Sequence, residues 1–240
     1  MRPDTTISCD SMQMDLLSPI ARRSTPSDPP GCPEMIELPM FPLGSVLVPR
    51  QVLALHVFES RYRRLVGDCL EQDRPFGVVL IERGSEVGGG ETRSDIGTEA
   101  TLTDAHPTPD GRWAVIAVGV RRIRVVQWLD DAPYPLARVE PWPDLPPGPQ
   151  LAAGVGEARK RFEDLVGLLV SRGLADDPGD ITFDDDPVAA AEQLVAVSPL
   201  GQWDRQQLLA CVGPDERMAR LADMLDEQHE LLAARFPPPE

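Results

Sequence analysis

The ten residues from Pro141 to Gln150, PWPDLPPGPQ, contain five prolines. No strand or helix runs through such a stretch, because proline has no N–H to donate and its ring collides with the preceding helical turn. The chain must therefore be built as two different halves. Before the break, apolar residues alternate or run continuously at strand length; after it, they recur at the three- and four-residue spacing of a helix face. This reading places a strand-rich domain over 35–145 and a helical domain over 150–236, with the break as a hinge.

Upstream, residues 1–34 hold six prolines and no sustained periodicity. That composition cannot bury enough surface to offset ordering entropy, so a disordered tail is expected. Met35 opens the first apolar pattern and is a candidate translation start. From Ile36 to Phe58 short extended pieces are separated by Pro39, Pro42, Gly44 and Pro49. Tyr62, Leu65, Val66, Cys69 and Leu70 then fall on one helix face. FGVVLI from Phe76 to Ile81 predicts a buried strand, and Gly84 to Asp95, with Gly88, Gly89 and Gly90 in a row, predicts a mobile connection. Further strands are expected at Gly97–Thr103, Trp113–Val118, Arg121–Trp128 and Tyr134–Val139, with Gly119 as a bulge or tight reversal. So little helix lies between them that consecutive strands should pair antiparallel and curl into a barrel or a sandwich. Helices are expected over Leu151–Leu174, Pro187–Val197, Gly201–Val212 and Pro214–Phe236, the last opened by Pro214, Asp215 and Glu216 at the positive end of its dipole.

Charge and motif inventory then narrow the function. The formal net charge is −16, with most of the excess after residue 150, which disfavours binding to a phosphate backbone. Lys160 is the sole lysine and sits in Ala158-Arg159-Lys160-Arg161, not after the glycine a P-loop requires. No GxSxG or HExxH occurs, and the histidines His56, His106 and His229 are far apart in sequence. Cys9, Cys32, Cys69 and Cys211 form no CxxC pair, so neither zinc nor a disulfide framework is indicated. The aspartates 176, 177, 180 and 184–186 lack the calcium-loop order and read as a solvated loop, so no metal and no cofactor are expected. No run reaches the roughly 20 apolar residues that cross a bilayer, and a cytoplasmic protein without a membrane partner is expected. Arg121, Arg122 and Arg124 beside Trp128 and Trp113 are the densest basic spot in the strand-rich half, but alternation splits them over two faces.

LPMFPLGSVLVP from Leu38, LHVFESRYRRL from Leu55, FGVVLI from Phe76 and GTEA from Gly97 resemble, in order and spacing, the N-terminal substrate-binding domain of Lon proteases. The resemblance implies an α+β fold: a PUA-like antiparallel β-barrel with one early helix, followed by a C-terminal α-helical bundle. It further implies a non-catalytic polypeptide-binding module, an adaptor in protein quality control that takes apolar polypeptide segments and works with a protease or chaperone. Lon's ATPase and Ser-Lys peptidase modules have no counterpart in these 240 residues. Phe41, Leu43, Phe58 and Tyr62 are the candidate peptide contacts, to the extent that each stays exposed. Pro39, Pro42, Glu59 and Arg61 are expected to shape a structural corner, the prolines ending ladder pairing and Glu59 favouring the following helix N-terminus. The rival expectation, drawn from other PUA-like folds, is RNA or modified-nucleotide binding through Arg121, Arg122, Arg124 and Trp128.

Overall fold

A computed structural model describes residues 35–83, 92–109 and 111–237. The expected tail, Cys9, Cys32 and the triple glycine lie outside the described residues. Strands β1 (Ile36–Leu43), β2 (Val52–Val57), β3 (Phe76–Arg83), β4 (Thr92–Pro107), β5 (Trp113–Trp128) and β6 (Leu136–Pro141) precede helices α2 (Leu151–Ser171), α3 (Pro187–Val197), α4 (Gln202–Leu209) and α5 (Pro214–Arg235). Helix α1 (Ser60–Gln72) intervenes between β2 and β3.

The strands form one mixed sheet in the order β2-β5-β4-β3-β1-β6, and β6 returns to pair with β5. Five strands thus close a ring, with β2 attached to the first half of β5. Most pairs are antiparallel, as expected, but β1 and β3 run parallel, Met40 opposite Gly77 and Leu43 opposite Leu80. A parallel pair needs a crossover, and β2 with α1 supplies it. Leu38, Met40, Val79, Ile123, Val125 and Val139 form one buried cluster drawn from four ring strands. Phe41 and Leu43, on the other face of β1, pack with Tyr62, Leu65 and Val66 of α1. With both faces covered, β1 and β3 read in sequence as continuous apolar runs rather than alternations.

Several local expectations are refined. Strand β4 begins at Thr92, inside the stretch expected to be a mobile connection. Strand β5 runs unbroken where two strands were expected, because Gly119 is a bulge: pairing with β4 shifts between Glu99·Arg121 and Ala100·Gly119. A Cβ at Gly119 would lie 2.4 Å from the Val48 carbonyl oxygen, and only glycine admits that approach. Pro39 marks where β1 leaves β6, yet Pro42 stays in the ladder opposite Val79. Beyond Pro39 the β6 register ends, so β1 has a β3 partner on one side, and a strand tolerates proline where the missing N–H faces no neighbour. Leu70, expected on the buried face of α1, is exposed at the edge of that stripe.

The helices follow the predicted spacing closely. Helix α2 packs along α5, and Phe162, Leu165, Leu194, Leu208, Leu221 and Leu225 are buried between the helices. Asp186 caps α3, its side chain accepting from the Ala189 N–H, with Pro187 in the first turn. Val46, Val48 and Leu80 join the same cluster, so the helical core reaches the ring without interruption. Gln206 of α4 reinforces the contact, its Nε2 donating to Ser94 Oγ at 2.7 Å and to the Ile96 carbonyl at 2.9 Å. The proline-rich stretch is a strap pinned along its length rather than a free hinge. Trp142 N donates to the Arg122 carbonyl at 3.0 Å and Leu145 N to the Val212 carbonyl at 2.9 Å. Gly148 N donates to Asp215 Oδ2 at 2.7 Å.

Candidate binding cleft between ring, strap and helices

Of the four candidate peptide contacts, folding uses three for the core. Phe41, Leu43 and Tyr62 are 6%, 5% and 3% exposed, and the Phe41 and Tyr62 rings stack at 4.2 Å between centroids. Their apolar surface is already covered by α1 and the sheet, which removes it from direct contact. Phe58, at the turn from β2 into α1, is 57% exposed and does not supply the apolar mass under the barrel expected of it. Arg61 Nε donates to Glu59 Oε2 at 3.0 Å and its guanidinium lies 4.5 Å from the Tyr62 ring centroid. Glu59 occupies the N-cap position of α1 and its backbone carbonyl accepts from Arg63 N.

The arginine cluster on β5 is not a free basic patch. Arg121 donates Nε and Nη2 to Glu99, Arg124 pairs with Glu140 and lies 4.6 Å from the Trp142 ring centroid. Arg122 points into the protein, donating to the Leu209 and Cys211 carbonyls and to Asp144. Trp128 is occupied by Arg93, 4.4 Å from its ring centroid.

Arg122 leads instead to a cleft of about 340 Å³ where β5, the strap and the helices meet. Its apolar walls come from Val48, Pro49, Val120, Trp142, Val195 and Leu209. Its polar wall is built on Asp144, the strap residue that accepts from Arg122 Nη2 and, at 3.0 and 2.6 Å, from Arg217 Nη1 and Nη2 of α5. The two guanidiniums are 4% and 6% exposed and share this one carboxylate. Further donors meet the last carbonyls of α4: Arg217 Nε bonds the Leu208 carbonyl at 3.0 Å, and Arg122 Nη1 bonds the Leu209 carbonyl at 2.7 Å. Cations at a helix C-terminus interact favourably with its dipole. Burial, and then the neighbouring Arg217, push the Arg122 guanidinium below its ordinary pKa, with Asp144 opposing. Arginine stays cationic even so. Trp142 Nε1–H is buried, and no acceptor meets it among the described residues.

Sequence reasoning found Arg122 but gave it the wrong surroundings, and it missed Asp144 and Arg217. Asp144 lies 22 residues from Arg122 and 73 from Arg217, so no local pattern links them. The available signal was a single aspartate within a strap of prolines, a polar group that needs partners wherever the strap is buried.

Residues 37–227 match the family described as the ATP-dependent protease La (LON) substrate-binding domain. The chain belongs to the Lon substrate-binding domain family. Lon protease 2 of Herpetosiphon aurantiacus is 29% identical over 202 residues, covering 82% of this chain and 24% of that protein. A LON peptidase N-terminal domain and RING finger protein of Schizosaccharomyces pombe is 29% identical over 121 residues, covering 45% of this chain and 25% of that protein. The crystal structure of a Lon N-terminal domain protein from Xanthomonas campestris superposes with a TM-score of 0.57 at 28% identity, covering 78% of this chain and 98% of that one. The Lon-family chain thus spans about a quarter of the Lon proteases it matches. Among its described residues no helix is long and apolar enough to cross a membrane.

Proposed function

We propose that this Lon-family chain is a non-catalytic polypeptide-binding module that takes apolar segments of client proteins and acts as an adaptor beside a protease or chaperone. One observation carries the reading: an apolar cleft of about 340 Å³ sits where ring, strap and helices converge, within the size range of ligand sites, while Phe41, Leu43 and Tyr62 are committed to the core. Phe58 and the outer edge of β2, which is terminal in the strand order, offer a second contact where an extended segment adds to the sheet.

The test is a titration of the purified chain against a reduced, carboxymethylated protein that cannot refold, followed by fluorescence anisotropy. Saturable binding that weakens with a bulky substitution at Val120, on the cleft wall, is expected. No saturable binding at roughly tens of micromolar refutes the reading. So does hydrolysis of ATP or of the client by the purified chain alone.

A further inference from the structure

The cleft carries more information than its apolar walls. Four guanidiniums, those of Arg50, Arg121, Arg122 and Arg217, line it or pair with groups that do, against the carboxylates of Glu99, Asp144 and Glu192. One positive charge is left over, in a chain whose net charge is −16. The surplus is not at the surface: Arg122 and Arg217 are 4% and 6% exposed, where attraction is screened least by water and salt. Donors exceed acceptors in the same place. Trp142 Nε1–H meets no acceptor among the described residues, and Arg121, half-exposed at the rim, gives Nε and Nη2 to Glu99. An occupant that suits this wall brings oxygen acceptors and a negative charge. Volume limits it further, since about 340 Å³ is at the small end for ligand sites and suits one or two residues rather than a helix or a long internal segment.

We propose that the cleft captures the C-terminal end of a client polypeptide, its free α-carboxylate drawn to the Arg121, Arg122 and Trp142 wall and its last, apolar side chain placed between Val48, Val195 and Leu209. This rests on the polypeptide-binding reading above and specifies which part of the client enters. Charge-assisted hydrogen bonds to a carboxylate are about twice as strong as neutral ones, and capture of a chain terminus is a recurring mode of peptide recognition. Asp144 has the positioning role: by holding both guanidiniums it fixes the wall and leaves their combined charge one unit in excess.

The experiment compares two N-terminally labelled hexapeptides ending in Ala-Leu, one with a free carboxylate and one with a C-terminal amide, in anisotropy titrations against the full chain. The free acid is expected to bind at least about tenfold more tightly, and the difference to shrink as salt rises. Val120→Glu, a substitution at a half-exposed rim position that leaves the buried network intact, is expected to weaken free-acid binding several-fold more than Val120→Gln. Equal affinities of acid and amide, or equal effects of the Glu and Gln variants, overturn the inference. The unfolded-protein titration separates the two readings. A chain that binds the unfolded client with no preference for the free acid overturns this inference alone; a chain that binds neither overturns both.

Discussion

Replacing Asp144 removes the one carboxylate shared by two buried arginines, and the cost follows from who is left behind. In Asp144→Ala, Arg122 keeps its bonds to the Leu209 and Cys211 carbonyls and Arg217 keeps Leu208, but three charge-assisted bonds disappear. Breaking a buried ion pair from one side typically costs about 3–5 kcal/mol, because the surviving charge remains buried. Here two charges survive, which argues upward, while Asp144 itself is 25% exposed, so water reaches the gap and argues downward. The low end, about 3 kcal/mol, is the expected loss. With a urea slope of about 2–3 kcal/mol per molar, the unfolding midpoint should fall by about 1 M, read by circular dichroism. Asp144→Asn, which keeps an acceptor oxygen but no charge, should lie between Ala and the parent. The joint replacement Asp144→Leu, Arg122→Met, Arg217→Met should recover most of the loss, since an apolar substitute for a buried ionic cluster is often neutral. A midpoint shift below about 0.3 M for Asp144→Ala, or a triple variant no more stable than the single one, refutes the claim that this carboxylate holds strap, ring and helices together.

Other outcomes are equally direct. Gly119→Ala pushes a Cβ to 2.4 Å from the Val48 carbonyl oxygen and should cost about 1–3 kcal/mol in the same urea assay, whereas an unchanged midpoint would show that the bulge has room. Alkaline stability should fall in a defined window. Burial first, and then the hydrogen bond to Asp68, raise the Tyr134 hydroxyl from 10.0 to about 12, and burial raises the Cys69 thiol from 9.0 to about 11. Both groups hold their protons more tightly when folded, so stability is full below about pH 9 and declines towards about pH 12. Tyr134→Phe should flatten the upper part of that decline, and an identical pH profile would contradict it. Phe58→Ser, at an exposed site, should change stability by no more than about 0.5 kcal/mol while lowering affinity for an unfolded client, so a loss of stability with affinity intact reverses the assignment.

How far the sequence revealed this molecule depends on the range of the interaction. Helix α3 was legible from its apolar spacing after Pro187, though its cap Asp186 was read as part of a solvated loop, and α5 because Pro214, Asp215 and Glu216 open it. Strand β3 was legible from its apolar run, but β1 only as extended pieces, because Pro39 and Pro42 were expected to divide what is one strand. Their parallel pairing was not, since register depends on a crossover that leaves no mark in either strand. The unbroken β5 was hidden by Gly119, which reads equally well as a turn. At the site, Phe58 and Tyr62 looked alike in sequence, but α1 buries one and leaves the other outside. The cleft was the least legible feature, because Arg122, Asp144 and Arg217 meet only after ring, strap and helices have each formed.

Closure of the ring has a consequence for synthesis. Strand β6 seals the barrel by pairing Val139 both with nearby Val125 and with Ile36, about a hundred positions away. A ribosome delivers the chain from the N-terminal end, so until β6 has emerged the seam stays open and the apolar faces of Leu38, Met40 and Ile123 have no lid. Contacts so distant form slowly. Nascent chains of this protein, arrested short of Leu136, should therefore bind chaperones that the full chain does not.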